Sequence, residues 1–399
     1  MVRSFLLVAI GFYLQGCGNQ DVVTVTTDFK AWNLFQNNDY AKVLSSSDGE
    51  IVGQVLESDL PQWSATIHEK LNRCGGFFLE GAEAEGLGFL ALSDHEASSS
   101  VSYRYPEVEV QEHIAGVMNQ VQEASILEMI EKLSAFQNRY YRSQYGVQSQ
   151  TLVMDTWKEL AKDREDISVE MISHRGFPQP SVVLTIEGTK RPNEVVVLGG
   201  HGDSIAGWMP DQNVDAPGAD DNASGIATLT EVLRRVIAND YHPERTVQVM
   251  SYAAEEVGLV GSARIAAQYE REQKQVVGVL QFDMTNFSGS VEDVVLMTDH
   301  TNPDLTRWTE DLLNAYQPDV EVGRDQCGYA CSDHASWTRY GYPSVMPFES
   351  RMDDHSPHIH TNRDTLDRSD ASAGHAKVFA KLGVTWMMEL AAAKVLSFH

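Results

Sequence analysis

Basic residues are scarce in this 399-residue chain: 30 lysines and arginines stand against 57 aspartates and glutamates, a formal charge of −27. A field of that sign repels phosphates, which argues against a nucleic acid or an anionic membrane surface as partner. Cysteine is scarcer still, with only Cys17, Cys74, Cys327 and Cys331, too few for a disulfide-built scaffold. No apolar run is long enough to span a bilayer as a mature helix. No Gly-x-Ser-x-Gly elbow marks a serine hydrolase, and neither an internal repeat nor a low-complexity tract occurs. What is present, 42% hydrophobic and 22% charged residues, is the composition of a globular protein with a large buried core.

The chain starts Met1-Val-Arg3 and continues with an apolar run over 5–14. A basic start followed by a short apolar core reads as an export signal, residues 1–17. Its ending, Leu14-Gln-Gly-Cys17, resembles a lipoprotein box, with Gln15 an unusual residue there. Two fates follow: lipid attachment at Cys17, which would tether the protein to the cell envelope, or ordinary cleavage nearby and secretion. With Cys17 in the leader and Cys327 and Cys331 close together, the economical count is one local disulfide and an unpaired Cys74 in an oxidising compartment.

Residues 18–108 are expected to form a pro-region, the arrangement of a zymogen. They hold a half-helical stretch over 60–71, then Arg73-Cys-Gly-Gly-Phe-Phe78. The stretch 83–102, rich in Ala, Glu, Gly and Ser, reads as a soft connection open to processing proteases. Such a segment assists folding or covers an active site; a small independent domain is the alternative.

The region 109–399 is expected to be one α/β domain, a mixed, mainly parallel sheet flanked by helices. From 126 to 141, Ile126, Met129, Ile130, Leu133 and Phe136 recur at helical spacing. Continuous apolar runs follow at 181–186, 194–198, 246–252, 276–282 and 293–297, the pattern of strands covered on both faces. Between them Ile226, Leu229, Leu233, Val236 and Ile237 form a helical stripe behind a start at Asp221-Asn222-Ala223.

Polar residues sit at the ends of these runs. Gly-Gly-His201-Gly-Asp203 closes one, Ala-Ala-Glu255-Glu256 the next, and Asp283 a third. In an open α/β sheet the carboxyl ends of the strands form the ligand crevice. Loops add Pro-Gly-Ala-Asp220-Asp221-Asn-Ala-Ser-Gly225 and Ile-His360-Thr-Asn-Arg-Asp364. Each piece alone has a plainer reading. Asp221 suits a helix cap, Glu255 and Glu256 suit a solvated helix start, and each histidine suits a satisfied core or surface position. Together, two imidazoles and several carboxylates at one sheet mouth are costly unless cations neutralise them.

In their order and wording these strings closely resemble the M28 metallopeptidases, and within them the secreted leucyl aminopeptidases of marine bacteria. The resemblance covers about 109–393. It implies that Asp221 bridges two zinc ions, with His201 and Asp283 completing one site, Glu256 and His360 the other, and Glu255 acting as general base. The residue types suit that chemistry. Zinc accepts imidazole and carboxylate, and three protein ligands per ion leave room for water. Paired ions share a hydroxide nucleophile, whose proton Glu255 would pass to the leaving amine. Binding of the free α-amine by one zinc would make the enzyme an exopeptidase, acting on peptides with a free N-terminus, as a monomer. Asp203, two residues after His201, is expected to accept the free ring N–H of that histidine and fix its tautomer, and Asp364 to do likewise for His360, with a turn role in Arg-Asp-Thr the alternative.

The string Gln-Cys327-Gly-Tyr329-Ala-Cys331 suits a disulfide across a short turn, provided the loop brings the Cα atoms together. A second metal site is the rival, but no further cysteine pair exists to complete it. In the family resembled, this bridge shapes the substrate pocket and Tyr329 faces the reacting carbonyl. Met284, Met346, Phe348 and Ile359 match pocket positions, implying leucine or another apolar residue at the substrate N-terminus; Met297 matches too, with ordinary core the alternative. Met352 and His355 stand where close relatives carry aromatics, which leaves the exact preference open. The alternatives are an M28-like carboxypeptidase or glutaminyl cyclase, or a binding ectodomain without metals. The complete ligand set favours the aminopeptidase. Cobalt or manganese would also suit these donors.

Overall fold

A computed structural model describes residues 22–35, 40–47, 50–71, 73, 76–80, 102–207, 211–369, 371–392 and 396–398. The leader, Cys17, Cys74 and nearly all of the soft connection lie outside these. The first described part is an antiparallel sheet of order β2-β3-β1-β4 carrying two helices. Its elements are β1 (Val22–Asp28), α1 (Phe29–Phe35), β2 (Lys42–Ser47), β3 (Glu50–Leu56), α2 (Leu60–Leu71) and β4 (Phe77–Glu80). In β3 burial alternates, placing Ile51 and Val55 inside. In α2, Trp63 and Ile67 fall four residues apart on the buried face. Trp63 stacks on Phe77 with centroids 4.6 Å apart. These side chains, with Val25, Trp32 and Leu60, make a core of their own.

After β5 (Ser102–Arg104) come α3 (Glu112–Met118), α4 (Glu123–Ser134) and α5 (Gln144–Ala161). The helix expected across 126–141 stops at Ser134. Beyond it the buried Arg139 turns inward, where its guanidinium donates to the carbonyls of Gly202 at 3.1 Å and Gly218 at 2.8 Å, and to that of Pro217. A buried guanidinium needs such acceptors, and a continued helix would not deliver it to them.

The central sheet has the order β13-β10-β8-β9-β7-β6. It comprises β6 (Ile167–Ile172), β7 (Ser181–Ile186), β8 (Arg191–His201), β9 (Arg245–Tyr252), β10 (Gln275–Gln281) and β13 (Ser344–Val345). The block from β13 to β9 is parallel, and β7 runs antiparallel to both its neighbours. The helices are α6 (Gly225–Ala238), α7 (Val260–Arg271), α8 (Pro303–Tyr316), α9 (His334–Arg339) and α10 (Gly374–Ala392). Alternation explains the unbroken apolar runs. Val196, Leu198, Val247 and Val249 enter the core beneath α6 and α10, while Val195, Val197, Met250 and Tyr252 enter the one beneath α7.

The run at 293–297 belongs elsewhere. There β11 (Val294–Met297) pairs with β12 (Val322–Asp325) and β14 (Pro347–Phe348) in a separate three-stranded sheet. Its Val294 and Leu296 join the main core, while Val295 and Met297 face the pocket cluster described below. A final strand, β15 (Leu396–Phe398), pairs with β5. In the central sheet the register sets His201 beside Tyr252 and Gly199 beside Gln281, so β8, β9 and β10 end at one edge.

Candidate metal centre

Strand register brings the polar strand ends together. His201 ends β8, Glu255 and Glu256 follow β9, and Asp283 follows β10; all four are buried. Asp221 reaches the same point from the segment before α6, where Asp221 and Asn222 leave helical geometry and the peptide between them is cis. The helix start expected at Asp221 therefore falls at Gly225, whose N–H donates to the Asn222 side chain at 2.9 Å. That oxygen also accepts from Met284 N at 3.1 Å, so Asn222 ties the loop carrying Asp221 to the loop carrying Asp283.

Asp221 divides its carboxylate between two histidines. Its Oδ1 lies 3.0 Å from His201 Nε2 and its Oδ2 lies 2.9 Å from His360 Nε2. His201 Nε2 is also 3.3 Å from Asp283 Oδ1, and His360 Nε2 is 3.3 Å from Glu256 Oε2. Ligands of one tetrahedral zinc, with bonds of about 2.0–2.2 Å, stand roughly 3.3 Å apart. His201, Asp221 and Asp283 meet that spacing as one group, and His360 and Glu256 converge on the other oxygen of Asp221. Among the described residues the oxygens of Asp221 and Glu256 meet only imidazoles, nearest those of His201 and His360, and neither oxygen of the buried Glu255 has a hydrogen-bond partner. Buried carboxylates without donors are costly unless a cation serves them. The residues present therefore fit a metal centre in which one carboxylate spans two positions.

The electrostatics agree. Burial raises the Glu255 carboxyl well above its ordinary value, and Glu256 and Asp283 add to this against the opposing pull of His201. Burial, then Asp221, lifts Glu256 to about 7. For His360 burial opposes the charge, but Glu256 and Asp221 outweigh it and raise the imidazole to about 10. Burial likewise works against the charge on His201, and Asp283 and Glu255 overcome it. A bound cation supplies the positive charge that these groups otherwise draw from protons.

The supporting shell is built from backbone. Asp203 Oδ1 lies 3.4 Å from His201 Nδ1, and its oxygens accept from the N–H groups of Glu255 at 3.0 Å and Glu256 at 3.2 Å. One carboxylate thus sets three site residues. Asp364, anticipated beside His360, instead supports the Asp220-Asp221 backbone, where its oxygens accept from Asp220 N and Asp221 N, each at 3.0 Å. Ala254, Met284 and His360 have φ of 56°, 61° and 54°. Non-glycine residues in the left-handed region are uncommon, and their strain persists where surrounding contacts fix them. Here each is one of the converging side chains or lies next to one.

Sequence reasoning missed several participants. Glu349, just after β14, hydrogen-bonds Asp220; burial and that acid hold the Glu349 carboxyl well above its ordinary value, so it keeps a proton to donate. Burial lifts Asp333 to about 7, with Gln281 donating to it at 3.1 Å. The doubled Asp220-Asp221 was a signal for the first. No local pattern marks the second, because its neighbours come from distant strands.

Met284, Tyr329, Met346, Phe348 and Ile359 pack in one apolar cluster with Met297. The first five line a cleft that opens onto Asp283, together with Met352 and His355. Cys327 and Cys331 form a disulfide with Cα atoms 6.1 Å apart, which holds the Tyr329 loop against the cleft.

The earlier segment also reaches this site. Helix α2 lies over it: Ser64 Oγ donates to Glu256 O at 2.5 Å, and the His68 ring stacks on His360 with centroids 4.0 Å apart. Burial, and next the neighbouring His360, push the His68 imidazole well below its ordinary value, keeping it neutral. Arg73 lines the cleft, with its guanidinium 4.3 Å from the centre of the Tyr329 ring.

A mixed α/β sheet with imidazoles and carboxylates converging at its carboxyl edge, beside an apolar cleft, defines a metal-dependent hydrolase. The profile of peptidase family M28 matches residues 181–382. A probable aminopeptidase of Saccharomyces cerevisiae is 33% identical over 82% of this chain and 89% of its own length. Leucine aminopeptidase 1 of Uncinocarpus reesii is 36% identical over 73% of this chain and 76% of its own. Among solved structures, LapB from Legionella pneumophila superposes with a TM-score of 0.80 at 27% identity, covering 93% of this chain and 99% of that one. The chain belongs to peptidase family M28 and is a metal-dependent aminopeptidase acting on peptides.

Proposed function

We propose that the protein is a two-zinc aminopeptidase that removes leucine or another apolar residue from peptide N-termini. In this reading it is made for export, by secretion or to the cell envelope, as a precursor with a signal segment over 1–17, a pro-region over 18–108 and the peptidase over 109–399. The observation that carries the reading is the divided Asp221 carboxylate, one oxygen toward His201 and the other toward His360. His201, Asp221 and Asp283 would hold one zinc, and Asp221, Glu256 and His360 the other. When bound, such a pair polarises the scissile carbonyl and makes water a nucleophile near neutral pH.

The chain's own residues do the rest. Glu255 reaches within 4.0 Å of His201 Nε2 and faces the centre with both oxygens unpaired among the described residues. It takes the proton from the attacking water and returns it to the departing amine nitrogen, so the peptide C–N bond breaks without a strongly basic leaving group. The methionine-rich cleft receives the first side chain; Met284, Met346 and Phe348 offer dispersion contacts and no charge partner. Asp283 stands where the cleft meets the centre, so the substrate's free amine lies at the acidic end.

Protein freed of the residues ahead of 109 should hydrolyse leucine p-nitroanilide, should leave N-acetyl-leucine p-nitroanilide intact and should prefer leucine to aspartate. Equal hydrolysis of the acetylated compound, or release of C-terminal residues from peptides, would move the reading to an endopeptidase or a carboxypeptidase.

A further inference from the structure

One buried side chain at the centre belongs to none of the roles above. His68, on α2, is 4% exposed in its side chain, and neither ring nitrogen has a hydrogen-bond partner among the described residues. An imidazole without donor or acceptor partners in a buried site is a cost that native proteins rarely carry unexplained. Its Nε2 lies 3.8 Å from Glu256 Oε2. Donor atoms of His68, Glu256 and His360 all fall within 4.8 Å of one another, a grouping of the kind formed by His201, Asp221 and Asp283.

We propose that His68 is a metal ligand in the uncleaved chain, closing the Glu256–His360 site and holding the precursor latent. The proposal rests on the two-zinc reading. In that reading Asp221, Glu256 and His360 give the second ion three protein ligands and leave the fourth position open. A fourth protein ligand converts an open, catalytic type of site into a closed, structural type. His68 is delivered by a segment that is otherwise well anchored. Ser64 holds α2 to the carbonyl of Glu256, and Leu79 N donates to Gly258 O at 3.4 Å. Phe77 packs so closely on Gly258 that a Cβ there would meet its ring at 2.6 Å. Arg73, on the same segment, covers Tyr329 in the cleft. Metal and pro-region would thereby stabilise each other, because ligation energy becomes docking energy. Removing residues 18–108 takes the fourth ligand away and opens the position to water.

The test uses the full chain loaded with cobalt or zinc, compared with His68→Gln, Ser64→Ala and Glu256→Ala. His68→Gln should shift the visible cobalt bands and weaken one of the two sites by roughly 10- to 100-fold in competition with a chelator. Ser64→Ala, which loosens docking while keeping every side chain that could bind the metal, should leave the bands in place. Zinc X-ray absorption of the unmutated full chain gives a reading that does not depend on a variant folding: three imidazoles shared by two zincs, from His68, His201 and His360, against two if His68 only packs. Cobalt bands and affinities unchanged in His68→Gln, with two imidazoles counted, would overturn the proposal and leave the two-zinc reading standing. A metal content indifferent to Glu256→Ala would sink both.

Discussion

At the scale of single residues, function rests on a few side chains whose spacing is set by backbone rather than by one another. Asp203 takes the N–H groups of Glu255 and Glu256 while standing behind His201, and Asn222 links the two loops that bring Asp221 and Asp283. Glu255 is the residue with no structural duty among these. Glu255→Gln should therefore keep the fold and metal content while kcat falls by roughly 10²- to 10⁴-fold and KM moves little. A variant with near-normal kcat would remove Glu255 from the proton-transfer role. The convergence of His201, Glu255, Glu256 and Asp283 was legible because each stands at the end of an apolar run. The role of Asp364 was not: a turn residue and an orienting residue look the same in sequence, and only the folded loop shows its oxygens on the amides of Asp220 and Asp221. His68 was equally hidden, since its partners lie some 190 and 290 residues further along the chain.

At the scale of elements, the apolar runs at 181–186, 246–252 and 276–282 became strands of the central sheet, because residues buried on both faces leave no alternation to misread. Three boundaries or placements differ from expectation, one being the start of α6 at Gly225 rather than Asp221. The helix over 126–141 ended at Ser134 because Arg139 is drawn into the carbonyls of the next loops, and the 293–297 run left the main sheet to back the pocket. Between β6 and β7 lies His174, buried, with Nε2 2.7 Å from Ser181 Oγ. Burial, then Arg264, lowers its pKa from 6.5 to about 4. The unfolded chain thus binds a proton at this site that the folded chain refuses between about pH 6.5 and 4. The stability associated with neutral His174 is complete above that window and is lost as pH falls through it, on the order of 3 kcal/mol in all. Urea midpoints should drop across this range, and less steeply in His174→Asn. Parallel slopes for the two proteins would contradict the assignment.

At the scale of the whole molecule, two folded parts meet at one chemical site. The larger carries the metal centre at the carboxyl edge of its sheet and the apolar cleft beside it. The smaller, built around Trp63 and Phe77, places α2 across that centre and Arg73 in the cleft. Composition had already pointed to separate segments, but how the first would sit on the second depends on contacts such as Phe77 on Gly258 that no local pattern reveals. The same geometry makes metal content the most direct test of the account. Protein freed of the residues ahead of 109 should be stripped with chelator and titrated with zinc while leucine p-nitroanilide hydrolysis and bound metal are followed together. The account predicts activity lost on stripping and binding that saturates at two zincs per chain, with one removed by Glu256→Ala. Saturation and full activity at a single zinc, unchanged by Glu256→Ala, would contradict it.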